Sequence, residues 1–154
     1  MEQAFLQVIS GNQGIIYKVC RLYRDTPEDR EDLFQEIVAE LWKAYPAFRN
    51  DAKASTWMYR IALNTAMIRY RRRRADVRFT EDLPEPAQAE DSGSPRQERL
   101  FDAIRTLNDA DKALISLYLD DFNYEEMAAL TGLSANVVGV RLHRIREKLK
   151  QLLR

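Results

Sequence analysis

An acidic segment that contains proline, from Asp76 to Gln97, interrupts the chain and limits what it can fold into. It carries Pro84, Pro86, Pro95 and the run Ser92-Gly93-Ser94, with few apolar residues between them. Because such a composition cannot bury enough apolar surface to offset the entropy of ordering, we predict a flexible linker. The 154 residues therefore have to form two small domains, at 1–75 and 98–154, each with its own core.

On both sides of the linker the apolar residues recur at helical spacing, and no alternating strand pattern is found. With only five glycines in the chain, we predict an all-α fold: two small helical domains joined by a flexible acidic linker. The first helix is expected from about Gln3 to Tyr23, with an interruption near Gly11 and Gly14. The lone cysteine, Cys20, falls in its apolar pattern and is expected to be a core thiol.

The second helix has a clear start signal: Thr26 as N-cap and Pro27 at the first helical position. A broad buried face is expected from this helix through Tyr45, made by Leu33, Phe34, Ile37, Val38, Leu41 and Trp42. A third helix is expected to start at Ser55 or Thr56 and to run into an arginine-rich stretch. Its Trp57 could stack on a base, but the helical spacing favours a core position.

The formal net charge is zero, which by itself argues against a nucleic-acid-binding protein. The charges are unevenly distributed, however. Six arginines and no acid lie in 60–74, and six basic residues and one acid lie in 134–154. Compensating acids concentrate in 25–40 and in the linker, with seven acids between Asp76 and Glu98. Two basic segments could therefore meet a phosphate backbone locally.

The strongest motif follows the linker. Helices are expected around Leu100 to Leu107 and from Asn108 or Asp109 onward. Asn123 and Glu126 then form a capping-box pattern, a short helix ends at Thr131-Gly132, Leu133 is the expected buried turn residue, and Ser134 caps the next helix. That helix is predicted to bury one stripe and to expose a basic one, as a helix in the DNA major groove requires. The buried stripe comprises Val138, Leu142, Ile145, Leu149 and Leu152, and the basic one Arg141, Arg144 and Lys148.

Other classes of protein are disfavoured. No apolar run is long enough to span a bilayer and no export signal is evident, so we expect a cytoplasmic protein without membrane insertion. One histidine, one cysteine and no glycine-rich phosphate loop leave no evident metal site, nucleophile triad or nucleotide cradle. We expect no enzyme activity and no cofactor.

Three motifs together resemble the extracytoplasmic-function class of bacterial sigma factors. Residues 124–128, 132–134 and 141–149 resemble the promoter-reading helix-turn-helix of that family. Residues 32–36, closing with Leu41-Trp42, resemble its core-polymerase-binding helix, and 57–62 with Asn64 resemble its promoter-melting helix. The resemblance implies a protein that binds core RNA polymerase, recognises promoter DNA and promotes transcription initiation.

The resemblance also implies roles for individual residues. The β′ clamp helices of the polymerase would be contacted by Asp32, Gln35 and Glu36, and the β flap would be a further contact. The minus-ten element would be held by the loop 49–55 and the following helix, with candidates Arg49, Asn50, Lys53, Arg60, Asn64, Arg69, Arg71 and Arg72. The minus-thirty-five element would be read by Asn136, Val137, Val140, Arg141, Arg144 and Lys148. An anti-sigma factor is a further candidate partner.

The sequence departs from the family pattern at two places. Early in the recognition helix it has Val137, Gly139 and Val140, where the family commonly has Thr, Lys and Ser. Base reading would then rest on polar residues such as Asn136, on methyl contacts from the valines, or on DNA shape. Around Asn64, Leu63 and Ile68 replace a common Arg and Asp. The alternatives are a sigma-like mimic that binds an anti-sigma protein without contacting promoters and a free-standing helix-turn-helix regulator.

Overall fold

The computed structural model describes residues 2–48, 53–69 and 94–154, and these contain helices and turns but no strand. This confirms the all-α prediction. The chain divides into two compact units, Met1–Glu90 and Asp91–Arg154. The first unit contains α1 (Glu2–Gly11), α2 (Gln13–Tyr23), α3 (Pro27–Ala44) and α4 (Ala54–Asn64). The second contains α5 (Pro95–Arg105), α6 (Asp109–Leu119), α7 (Tyr124–Thr131) and α8 (Ala135–Leu152).

The break between α1 and α2 falls at Asn12, beside the predicted interruption at Gly11 and Gly14. The side-chain amide of Asn12 donates a 2.9 Å hydrogen bond to the carbonyl of Val8, which fixes the end of α1. Helix α2 packs against both α3 and α4, and Ile16, Val19 and Leu22 are fully buried between them. Helix α2 is therefore the centre of the first unit.

Helix α3 starts as predicted. The hydroxyl of Thr26 accepts a 3.1 Å hydrogen bond from the amide of Asp29, and Pro27 is the first helical residue. Five of the six predicted core positions are buried: Leu33, Phe34, Ile37, Val38 and Leu41. The prediction for Trp42 was wrong. Its side chain is 43% exposed, because Trp42 lies at the edge of the buried face of α3, where its ring contacts that of Phe5 with centroids 4.9 Å apart.

Helix α4 starts at Ala54, one residue before the predicted start, and Lys53 occupies the N-cap without a side-chain capping bond. Ser55 and Thr56 therefore lie inside the first turn. Beyond Asn64 the chain continues as one π-helical stretch, Thr65–Arg69. The hydroxyl of Thr65 donates a 2.7 Å hydrogen bond back to the carbonyl of Ile61, a bond that commonly accompanies a bend in a helix.

Arg24, only 8% exposed, holds this π-helical stretch against the rest of the first unit. Its guanidinium donates to the carbonyl of Tyr23 at 2.9 Å and to that of Ala66 at 3.2 Å. The guanidinium of Arg30 in turn donates to the carbonyl of Arg24 at 3.0 Å. The segment that joins α2 to α3 is thereby hydrogen-bonded to the start of the arginine-rich stretch. No sequence pattern had indicated this role for Arg24.

The prediction that Cys20 is a core thiol is confirmed, and burial raises its pKa from 9.0 to about 12. The thiolate is the reactive form, so we expect Ellman's reagent at pH 8 to label the native protein at least about a hundred times more slowly than the protein in guanidinium chloride. Equal labelling rates would contradict a buried Cys20.

Burial of Cys20 also makes the stability of the fold depend on pH. Because the folded pKa of the thiol lies above the unfolded one, its contribution to stability is complete below pH 9.0 and is lost as pH rises toward about 12.

In the second unit each helix start carries a side-chain cap. Ser94 accepts from the amide of Gln97 at 3.2 Å, Asn108 from that of Asp111 at 2.8 Å, and Ser134 from that of Val137 at 3.2 Å. The first cap places α5 at Pro95, so residues 95–97 of the predicted linker are helical. Linker residues 76–93 lie outside the described part of the chain.

The core of this second unit lies between α8 and the three shorter helices, all of which contact it. Four residues of the predicted α8 stripe are buried there: Val138, Leu142, Ile145 and Leu149. The fifth, Leu152, was wrongly predicted as buried; it is 49% exposed because it is the last helical residue, beyond the packed part of α8. Leu133, the predicted buried turn residue, is only half-buried.

Candidate nucleic-acid interface

Helices α7 and α8 form a helix-turn-helix. The capping box predicted from Asn123 and Glu126 is present in both directions: the Asn123 side chain accepts from the amide of Glu126 at 2.8 Å, and the Glu126 carboxylate accepts from the amide of Asn123 at 2.9 Å. The turn is made by Gly132, with φ of +79°, a left-handed conformation that costs glycine little. The capping box thus fixes the start of α7, and Gly132 fixes its end and the turn into α8.

The face of α8 opposite its buried stripe is exposed. Val137, Val140 and Arg144 follow each other at spacings of three and four, so they lie on this face together. Asn136, Arg144 and Lys148 are exposed, and Arg141 is half-buried at its border. All six predicted minus-thirty-five residues therefore lie on α8, and five of them are exposed. The face combines an apolar first half with a cationic second half.

Beside this face lies an open groove of about 420 Å³ between α7 and α8. Its lining includes Tyr124, Gly139, Val140, His143 and Arg144. Sequence reasoning did not assign a site role to Tyr124 or His143. The signal that could have revealed Tyr124 is its position as the first residue after the Asn123 cap, where a large side chain can reach the first turns of α8.

Gly139 allows the Tyr124 ring to lie close to α8. A β-carbon built at Gly139 would meet Cε2 of that ring at 3.2 Å and Cδ2 at 3.5 Å. Unlike Gly132, Gly139 does not have a positive φ. Its backbone conformation therefore does not require glycine. Glycine is unfavourable inside a helix, and its presence at position 139 is explained by the close packing of the Tyr124 ring.

From this packing we predict how Gly139→Ala affects the free energy of unfolding. Alanine in a helix is favoured over glycine by roughly 0.5–1 kcal/mol, but here the Tyr124 ring must move aside. We expect no gain in the free energy of unfolding, measured with denaturant, for Gly139→Ala. The matched control is Gly14→Ala in α2, where nothing lies within 4 Å of the added methyl and a gain of about 0.5 kcal/mol is expected. Equal gains for both variants would contradict the close contact.

In the first unit the described minus-ten candidates lie on α4 and at its start. Arg60 and Asn64 are exposed and four residues apart, which brings them to one face of α4, and the exposed Lys53 directly precedes the helix. Leu63, at one of the departures from the family pattern, is buried in the core. Arg49, Asn50, Arg71 and Arg72 lie outside the described residues, as does the side chain of Arg69.

The residues that flank the loop 49–52 are joined by aromatic stacking. The ring of Phe48 stacks on that of Trp57, with centroids 4.6 Å apart and an interplanar angle of 23°. Tyr45 lies 6.2 Å from each of these two rings. Trp57 is thus half-buried in a peripheral aromatic cluster, and not enclosed in the core as predicted. Both sides of the loop are held together by contacts that helical spacing does not reveal, because Phe48 lies outside the helices.

The polymerase-binding candidates lie on the polar side of α3. Asp32 is exposed, and Gln35 and Glu36 are half-buried. Gln35 and Glu36 follow Asp32 by three and four residues, which places all three on one side of the helix, opposite the buried Leu41. The arrangement offers carboxylates to a basic partner.

Nowhere in 2–48, 53–69 or 94–154 do three or more His, Cys, Asp or Glu side chains form a group that could hold a metal ion. Among the helices that the structure describes, none has the length and apolar character needed to cross a membrane.

Two α-helical units, the second with a helix-turn-helix that exposes a basic face, are the architecture of a DNA-binding protein, and comparison with known proteins identifies its family. Family models agree: the model for Sigma-70 region 2 matches residues 8–76, and that for Sigma-70, region 4 matches residues 97–149. The chain is 30% identical over 150 residues to the RNA polymerase sigma-E factor of Streptomyces antibioticus, covering 96% of this chain and 83% of that protein. It is 27% identical over 169 residues to the ECF RNA polymerase sigma factor SigW of Bacillus subtilis, covering 99% and 90%.

Solved structures show the same fold. CnrH, in complex with the cytosolic domain of CnrY, has a TM-score of 0.71 and 26% identity, with 99% of this chain and 89% of that chain covered. The sigma factor RpoE of Bartonella quintana, in complex with the anti-sigma factor NepR, has a TM-score of 0.70 and 23% identity, with 99% and 95% covered. The chain belongs to the extracytoplasmic-function sigma factors, a family of transcription regulators rather than enzymes.

Proposed function

We propose that this sigma factor binds core RNA polymerase in the cytoplasm and contacts a promoter at two elements, one with each unit. The observation that carries the proposal is the exposed face of α8, where Arg144 and Lys148 extend beside Asn136, opposite a fully packed stripe. Cations there attract the phosphate backbone, and exposed side chains in the first two turns reach base edges in the major groove. This unit would read the minus-thirty-five element.

The first unit would hold the minus-ten element as a single strand. Arg60 and Asn64 supply a cation and an amide on one face of α4, and Lys53 supplies a cation at its start, beside a loop whose flanking residues are joined by the Phe48–Trp57 stack. Extruding a base costs a few kcal/mol, so prearranged contacts are needed to offset it. The arginines at 69, 71 and 72 would hold phosphates beyond this face.

Core polymerase would be bound through Asp32, Gln35 and Glu36, with the β′ clamp helices as the basic partner surface and the β flap as a further contact. The carboxylate of Asp32 is exposed near the start of a helix that is fixed to the core through Leu33 and Ile37. Such a rigid acidic face suits electrostatic recognition, which raises the association rate and selects the partner.

An anti-sigma factor is a further proposed partner, because the structural neighbour RpoE is bound to the anti-sigma factor NepR. The alternative function is a sigma-like mimic that binds an anti-sigma protein and never contacts a promoter. The cationic face of α8 favours the promoter-binding function, since a mimic would need no such face.

Complex formation with core polymerase tests the proposal. Purified chain and core polymerase should elute together in size-exclusion chromatography, and the complex should protect two separate segments of a selected promoter from hydroxyl-radical cleavage. A chain that fails to bind core polymerase but binds an anti-sigma protein would establish the mimic instead.

A further inference from the structure

We propose that the apolar first half of the α8 face reads the C5 methyl groups of thymines in the minus-thirty-five element, with Val137 and Val140 as the specificity-determining residues. This inference rests on the proposed function. It concerns the two positions, Val137 and Val140, at which the first half of the recognition helix exposes a side chain without a hydrogen-bonding group.

Two valines in the first half of α8 are exposed to solvent. Val137 is 43% exposed and Val140 is 51% exposed, on a helix whose other valine, Val138, is completely buried. Water contact at an aliphatic side chain is unfavourable, and these two lie one turn apart on the same face. Together with the groove beside Val140 they form a continuous apolar surface at the N-terminal half of α8.

The groove continues this surface toward α7. Its wall is the ring of Tyr124, which lies over Gly139 so closely that a β-carbon at this position would be only 3.2 Å from the ring. Because Gly139 has no side chain, the ring can lie this close to α8, and the groove is bounded by the ring on one side and by Val140 on the other. His143 and Arg144 close its far end with polar groups.

Thymine is the base whose edge suits such a surface. In the major groove it alone presents a methyl group, and apolar side chains recognise that methyl by contact. Valine is well suited because its χ1 angle is nearly fixed in a helix, so little rotamer freedom is lost on binding. The surface is thus rigid before DNA arrives.

Charge complementarity indicates that duplex DNA, and not an apolar protein segment, covers this surface. Arg144 lies on the same face one turn beyond Val140, and Lys148 lies a further turn along, both exposed. An apolar patch that continues into exposed cations on one helix face matches a base edge flanked by phosphates.

The test uses the complete chain bound to core polymerase. A randomised promoter library is first selected for binding, and each thymine of the enriched minus-thirty-five element is then replaced by deoxyuridine, which removes only the methyl. We expect one or two positions at which this replacement weakens binding, by about three- to fivefold per methyl. At those positions the Val137→Ala, Val140→Ala double variant should bind thymine and deoxyuridine DNA equally.

Three outcomes would overturn the inference: an enriched element without thymine at positions that contact α8, no deoxyuridine effect anywhere, or the same effect in the double variant. Each of these leaves the proposed function intact, because a promoter has been selected by the complex. If the complex enriches no sequence at all, the proposed function itself fails and the inference fails with it. A circular dichroism spectrum equal to that of the wild type shows that the double variant is folded.

Discussion

Charge reversal of Arg141 and Arg144 in one variant is expected to reduce transcription from a cognate promoter to below about one hundredth of the wild-type level. Each good side-chain contact to a base is worth about 1–3 kcal/mol, and two glutamates would add repulsion from the phosphates. Arg144 is exposed and Arg141 is half-buried, so the unit should still fold. Multiple-round transcription with reconstituted holoenzyme measures the loss.

The matched control reverses two other cations of α8. Arg146 and Lys150 are exposed on the other side of the buried stripe, away from Val137 and Arg144. Arg146 lies over the ring of Tyr118 at 5.3 Å, and Lys150 is 3.5 Å from Glu147. Both are exposed contacts of small energy, so reversing these two charges should leave most of the activity. Equal losses in both variants would mean that net charge, and not the recognition face, determines promoter binding.

Replacing Asp32 by arginine is expected to weaken binding to core polymerase by about ten- to a hundredfold, since a like charge facing a basic partner at an exposed surface costs roughly 1.4–2.8 kcal/mol. Asp32 is exposed, so the fold should tolerate the change. The dissociation constant can be measured by fluorescence anisotropy with labelled chain. The loss should diminish at higher salt, because the contact lies at an exposed surface.

Glu31→Arg is the control for Asp32→Arg. The two acids are neighbours on α3 and both are exposed, but their side chains point in different directions around the helix. The control should bind core polymerase within about threefold of the wild type. Comparable weakening by the two variants would contradict an Asp32-centred contact and would indicate a diffuse electrostatic attraction.

Helix starts and the turn could be predicted from the sequence because their causes are local. The Thr26, Asn108, Asn123 and Ser134 caps each use a side-chain oxygen three residues before the amide that it binds. Gly132 adopts the left-handed conformation that a helix-terminating glycine favours. Such features depend on a few neighbouring residues and need no knowledge of the tertiary fold.

Burial at the edges of the units could not be predicted in the same way. Trp42 and Leu152 continue the helical pattern of their helices, yet both are exposed, because periodicity does not tell where the packing partner ends. The Phe48–Trp57 stack and the bond from Arg24 to the carbonyl of Ala66 join residues far apart in the chain. Within the candidate site, Arg141, Arg144 and Lys148 followed from periodicity and Asn136, Val137 and Val140 from the family resemblance. The Tyr124–Gly139 contact required the structure.

If the chain directs core polymerase to specific promoters, it should determine where transcription starts. This can be measured by transcription in vitro by core polymerase from fragmented genomic DNA, with and without the chain, followed by mapping of RNA 5′ ends. We expect new 5′ ends that appear only with the chain, share two upstream elements, and disappear with the Arg141 and Arg144 reversal. Identical 5′ ends with and without the chain would contradict this role of the chain.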